Sequence, residues 1–102
     1  MSIFKFFKKG DSKSLNQDLF SGGNGSSEFE AVIINAKNSL IGISAEYEFM
    51  ESKFGKTGSA WELEKQIQHN SNSKNYDIME IKLSNGTHKK VYFDITSFFG
   101  KF

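Results

Sequence analysis

The chain has 102 residues, 37% of them hydrophobic, and a formal net charge of +1, which suits one small soluble domain with a single modest core. It has no cysteine, which excludes a disulfide framework or a thiolate metal site and favours the cytoplasm. All 13 basic residues are lysine, and because arginine gives bidentate recognition of phosphate and guanine, this near-neutral chain is not expected to bind nucleic acid.

Residues 1–26 are predicted to form a flexible tail and linker. The apolar part of the tail is interrupted by lysines and is too short to span a bilayer. Lysines beside large apolar side chains suit a weak peripheral contact with an anionic membrane; the alternative is that the phenylalanines dock on the domain or stay disordered. Residues 21–27 have the Gly/Ser/Asn composition of a linker, so the folded domain is predicted to span 27–102, with 1–25 dispensable for folding.

The domain is predicted to have the order β-α-β-β-β, an α+β fold. Residues 30–35 are β-branched and compact, which indicates a buried strand. A helix follows, because four apolar residues recur at helical spacing: Ile43, Tyr47, Met50 and Phe54. Ser44 is the predicted N-cap, and Gly55 is predicted to end the helix.

Three further strands are predicted after the helix. Residues 60–69 alternate, with Trp61, Leu63 and Ile67 on one side, as in a half-exposed strand. The polar residues 70–75 indicate a loop, and the strands 76–83 and 88–95 flank the turn 84–86. The sequence therefore predicts one helix packed on an antiparallel sheet.

The register of the last hairpin follows from its charges. A two-residue turn at Asn85 and Gly86 would place Lys82 opposite Lys89, whereas a three-residue turn opposes Glu80 to Lys90. The three-residue turn, with Gly86 in the left-handed position, is therefore predicted.

No catalytic, cofactor-binding or metal site is predicted. Residues 55–57 imitate the end of a phosphate loop, but Met50 occupies the upstream glycine position. His69 and His88 stand alone at strand ends, which indicates solvated histidines rather than metal ligands. The carboxylate pairs Glu48/Glu51 and Glu62/Glu64 are typical of solvated faces. An enzyme is therefore not the favoured interpretation.

Two resemblances accompany these patterns. The segment 92–101, Tyr-Phe-Asp-Ile-Thr-Ser-Phe-Phe-Gly-Lys, together with 45–48, 61–63, 76–78 and 81–84, resembles small uncharacterised bacterial proteins that end in a similar segment. That resemblance implies no known activity. The arrangement of one helix before an antiparallel sheet is similar to the cystatin-like one, and residues 66–70 resemble its inhibitory hairpin, although the chain has no proline for the second hairpin.

The predicted function is a small cytoplasmic protein-binding module that caps a partner, as an immunity or antitoxin factor does. Its partner would be another protein or a second copy of the chain. The predicted contact surface lies on the sheet face turned away from the helix and comprises Tyr76, Ile78 and Tyr92 with a rim of Glu80, Lys82 and Lys90. Intramolecular cover by the terminal phenylalanines is the competing interpretation of this patch. The alternative function is a small enzyme or ligand-binding domain with a pocket between helix and sheet.

Overall fold

One helix packs against a five-stranded sheet in the computed structural model, which describes residues 19–102. The elements in chain order are β1 (Phe20–Gly22), β2 (Val32–Ile34), α1 (Ser39–Phe54), β3 (Trp61–Ser71), β4 (Lys74–Leu83) and β5 (His88–Asp94). The predicted α+β class is confirmed. The predicted order β-α-β-β-β corresponds to β2, α1, β3, β4 and β5 and is also confirmed. The predicted membrane contact of the lysine-rich tail lies outside the described residues.

The sheet is mixed, with the strand order β1-β2-β5-β4-β3. Val32 and Ile33 of β2 pair with Phe93 and Asp94 of β5 in parallel, while the other neighbouring strands are antiparallel. The prediction of a wholly antiparallel sheet is therefore wrong at this pair. A parallel pair requires a long crossover, and here α1 and the β3–β4 hairpin provide it.

The predicted linker forms part of the sheet from residue 20 onward. Phe20 of β1 pairs with Ile34, and its ring lies 6.0 Å from the ring of Phe49 on α1. The N–H of Tyr92 donates to the carbonyl of the buried Gly25 at 2.8 Å. The predicted boundary at residue 27 is therefore wrong, because residues 20–26 hydrogen-bond and pack as part of the folded unit.

Helix α1 begins six residues earlier than predicted, since its N-cap is Asn38 and not Ser44. The Oδ1 of Asn38, rather than the hydroxyl of Ser44, caps it by accepting from the N–H of Ile41 at 2.9 Å. The buried helix residues are Gly42, Ala45, Glu46 and Met50. Ile43, predicted to face the core, is 50% exposed. Gly55 follows the last helical residue as predicted, and no helix in the described part of the chain is long and apolar enough to cross a membrane.

The core fills the layer between α1 and one face of the sheet. Its largest fully buried apolar side chains are those of Trp61, Phe93, Ile34, Met50, Met79, Ile81 and Val32. The C-terminal segment closes this layer, because Phe98 packs so closely on Gly42 that a Cβ there would overlap its ring. The N–H of Ser39 also donates to the carbonyl of Lys101 at 2.7 Å.

The sequence predicted the register of the β4–β5 hairpin correctly but not the turn of the β3–β4 hairpin. In the β4–β5 hairpin Glu80 lies opposite Lys90 and Ile78 opposite Tyr92, with Gly86 at φ +90°, so the predicted register is confirmed. The predicted loop 70–75 is instead a tight turn, with Asn72 and Ser73 at positive φ, and both strands continue to it.

Candidate functional site

The six residues of the predicted contact surface share one face of the sheet, which we call the outer face. Asp77 and Met79 are buried on the side that packs against α1, so alternation along β4 directs Tyr76, Ile78, Glu80 and Lys82 away from the helix. The register of β5 adds two partners: Tyr92 lies opposite Ile78, and Lys90 lies opposite Glu80. Strand alternation and the β4–β5 register were therefore sufficient to predict that these six residues share one face.

Strand β3 adds a side chain that the sequence pattern assigned to the wrong face. Ile67 was grouped with Trp61 and Leu63, but it lies opposite Ile78 on the outer face. A β-bulge between Leu63 and Lys65 inserts one extra residue and reverses the alternation beyond it. The outer face therefore carries a half-buried apolar row of Ile67, Ile78 and Tyr92.

Tyr76 does not contribute an open surface, which corrects the prediction. It is only 7% exposed although it belongs to the outer face. The loop between β1 and β2 lies over this end of the sheet, where Oε1 of Glu28 is 3.4 Å from Nε2 of His69. The imidazole of His69 stacks on the Tyr76 ring with the centroids 6.3 Å apart.

Among the described residues, the β1–β2 loop covers Tyr76 to a greater extent than the C-terminal phenylalanines do. Phe98 is buried beside Gly42 on the helix side, and Phe102 is fully exposed. Phe99 borders a shallow cleft that includes Tyr76, so the C-terminal segment contributes only at the margin. The N-terminal phenylalanines before residue 19 lie outside the described part.

A cleft of about 390 Å³ lies between the β1–β2 loop and this end of the outer face. Its polar lining includes Glu28, Glu30, Lys74, Tyr76 and Asp94. Burial, with Glu28 and Asp94 nearby, raises the pKa of the Tyr76 phenol above its ordinary value. The phenol therefore stays protonated at neutral pH and can donate a hydrogen bond.

The carboxylate of Asp94 is held in place at the base of that cleft. Its Oδ1 accepts from the N–H of Thr96 at 3.0 Å and from the Thr96 hydroxyl at 2.6 Å. Its Oδ2 lies 3.8 Å from Nζ of Lys74. One oxygen of the carboxylate is thus fixed by Thr96, while the other lies near the single lysine of the cleft lining.

The other end of the outer face carries charges of both signs. Nζ of Lys90 lies 3.9 Å from Oε2 of Glu80, and Nδ1 of His88 lies 2.9 Å from Oε1 of Glu64. Because these side chains are exposed or half-buried, each pair stabilises the fold only weakly. They form a mixed polar rim beside the apolar row.

The histidines and carboxylate pairs singled out in the sequence form no metal centre in the described chain. Each histidine instead approaches one glutamate, and no three His, Asp or Glu side chains in residues 19–102 are grouped to hold a metal ion. Glu51 accepts hydrogen bonds from Thr57, and these bonds lower the pKa of its carboxyl. That contact secures the turn after α1.

A buried carboxyl pair between α1 and β4 was not predicted. Glu46 and Asp77 are 1% and 3% exposed, and the amide of Gln66 donates to Oδ2 of Asp77 at 2.6 Å. Burial, followed by the contact with Asp77, raises the pKa of Glu46 to about 10. If both groups were ionised, both Glu46 oxygens and Oδ1 of Asp77 would lack a partner, whereas a proton on Glu46 can be donated to Asp77.

The sequence did contain a signal for this pair. Glu46 is four residues from both Gly42 and Met50, which are buried on the same helix face. A helix that began after Ser44 would have only Ala45 before Glu46, so the predicted helix start left no Gly42 on the helix to mark this face.

Comparison of the chain with protein-family models, with curated proteins and with solved structures finds no match.

Proposed function

We propose that this chain is a small cytoplasmic protein-binding module that caps a partner, in the manner of an immunity or antitoxin factor. The observation that carries the proposal is the apolar row of Ile67, Ile78 and Tyr92, which lies half-buried on the outer face. The only helix of residues 19–102 packs on the opposite face. Within residues 19–102, no helix covers this row, which supports contact with a second protein.

The surroundings of the row support a protein partner. Lys65, Glu80 and Lys90 lie side by side across three strands, next to the apolar residues. An apolar centre with a polar, mixed-charge border is typical of protein interfaces, where tyrosine is enriched because it combines apolar area with a polar tip. An outward sheet face that met only water would more commonly be polar throughout.

The alternative of a ligand pocket between helix and sheet gains no support from the packing. Met50 from the helix and Met79 and Phe93 from the sheet have no exposed surface, and Trp61 is 2% exposed. These large side chains occupy the layer in which such a pocket would lie. We therefore propose a contact function and not a reaction.

The double variant Ile78→Lys/Tyr92→Glu tests the proposal. We expect it to stay folded by circular dichroism and to lose binding to a partner identified by cross-linking, or to lose self-association measured by light scattering. The control Leu40→Glu/Ile43→Lys makes the same charge changes at two exposed helix positions and should retain the interaction. Retention by both variants, or unfolding of the first, would contradict the proposal.

A further inference from the structure

Phe29 is displayed at the tip of the loop between β1 and β2. Its side chain is 94% exposed, although the burial of a phenylalanine side chain stabilises a fold. Hydrogen bonds within the loop hold the tip: Glu30 N–H donates to the Ser27 carbonyl at 3.1 Å and Gly25 N–H to the Glu30 carbonyl at 2.7 Å. The ring is thus presented by an ordered turn, which lowers the entropic cost of binding through it.

The charges around Phe29 are predominantly negative. Glu28 and Glu30 flank it in the sequence, and the cleft of about 390 Å³ beside it also contains Asp94. Lys74 is the single lysine of that lining, against three carboxylates. Nε2 of His69 lies 3.4 Å from Oε1 of Glu28, and the Thr96 hydroxyl donates to one oxygen of Asp94.

We propose that Phe29 and the adjacent cleft bind a basic, partly apolar segment of a partner protein. Phe29 contacts apolar side chains of that segment, while a lysine or arginine side chain enters the cleft between Glu30 and Asp94. A guanidinium or ammonium group there meets carboxylates and also the Phe29 ring, which attracts cations. The inference rests on the proposed protein-binding function and specifies the partner's chemistry.

Charge also distinguishes this partner from a lipid surface. A lone exposed phenylalanine can insert into a bilayer, but two carboxylates beside it are repelled by anionic headgroups. The same carboxylates attract a basic protein segment. The surface is therefore assigned to protein and not to membrane.

A random-peptide phage library selected on the immobilised full chain tests the inference. We expect enriched peptides to combine lysine or arginine with an aromatic or aliphatic residue. Their affinity should fall about tenfold or more for Phe29→Ala and for Glu30→Lys, as for central interface residues. The matched controls Phe102→Ala and Glu62→Lys change an equally exposed phenylalanine and an exposed glutamate elsewhere, and should bind as the wild type does.

Three outcomes would overturn the inference. Peptides that bind Phe29→Ala and Glu30→Lys normally but not Ile78→Lys/Tyr92→Glu would refute this site and leave the proposed function standing. Peptides that are insensitive to all of these variants would count against both proposals. Sedimentation with phosphatidylserine vesicles by the wild type, lost in Phe29→Ala, would assign the phenylalanine to a membrane.

Discussion

Glu46 is an ionisable side chain inside the core, and its protonation should make stability depend on pH. Its pKa is about 10 in the folded protein against an ordinary 4.5, so between these values the folded state holds a proton that the unfolded chain has lost. The resulting stabilisation is complete below the lower value. It is lost at up to about 1.4 kcal/mol per pH unit as the pH rises toward the higher one.

Glu46→Gln should remove this dependence, because an amide stays neutral and can still donate to Asp77. We expect the free energy of unfolding in urea to be higher than that of the wild type at about pH 9, and similar to it at about pH 4. Glu62→Gln, at an exposed position of β3, serves as the control and should leave the pH profile unchanged. A wild-type profile that rises between these pH values would contradict the assignment of the proton to Glu46.

Among the elements, the β3–β4 turn contains local strain that a substitution can release. Asn72 and Ser73 have φ values of 52° and 65°, the combination that two-residue hairpins need and that glycine adopts most readily. Ser73→Gly should therefore raise the free energy of unfolding by about 0.5–1 kcal/mol. Ser73→Val, which adds a branched side chain at the same φ, should lower it. Equal stability of the two variants in urea titrations would refute this account of the turn.

Strand β1 is a second element with a measurable contribution. Phe20 packs on the core beside Phe49, whereas Phe29 at the end of the following loop is 94% exposed. Phe20→Ala should therefore lower the free energy of unfolding by about 1–3 kcal/mol, less than a fully buried phenylalanine would. Phe29→Ala should change it by no more than about 0.5 kcal/mol. An unchanged stability for Phe20→Ala would mean that β1 adds little to the fold.

At the scale of the whole molecule, the strand order determines which backbone amides exchange their hydrogen with solvent most slowly. β5 and β4 each lie between two other strands, while β3 and β1 are the edges of the described sheet. Amide hydrogen exchange should be slowest in β4 and β5, because their amides open only when the sheet separates. Outward-directed amides of β3 should exchange fastest among the long strands. Slower exchange in β3 than in β5, measured by NMR, would be incompatible with this order.

Features that depend on neighbouring residues in the chain could be predicted from the sequence. The end of α1 at Gly55 follows from glycine's tolerance of positive φ, which is local. The β4–β5 register follows from pairing Glu80 with Lys90 instead of Lys82 with Lys89, a comparison within one short hairpin. This register and strand alternation also placed the six predicted contact residues on one face.

Features that depend on contacts distant in the sequence were decided only by the tertiary structure. The glycine-rich segment after residue 20 looks like a linker, and it is ordered because β2 and β5 offer unpaired backbone groups to it. The bulge near Glu64 reversed the face of Ile67, and nothing in the alternation of charges before it marks the extra residue. The contact between the β1–β2 loop and the end of the sheet at Tyr76 also depends on segments far apart in the chain, as does the burial of Glu46 against Asp77. Local patterns determine which residues alternate, whereas backbone pairing and desolvation across the fold determine which of them remain accessible to a partner.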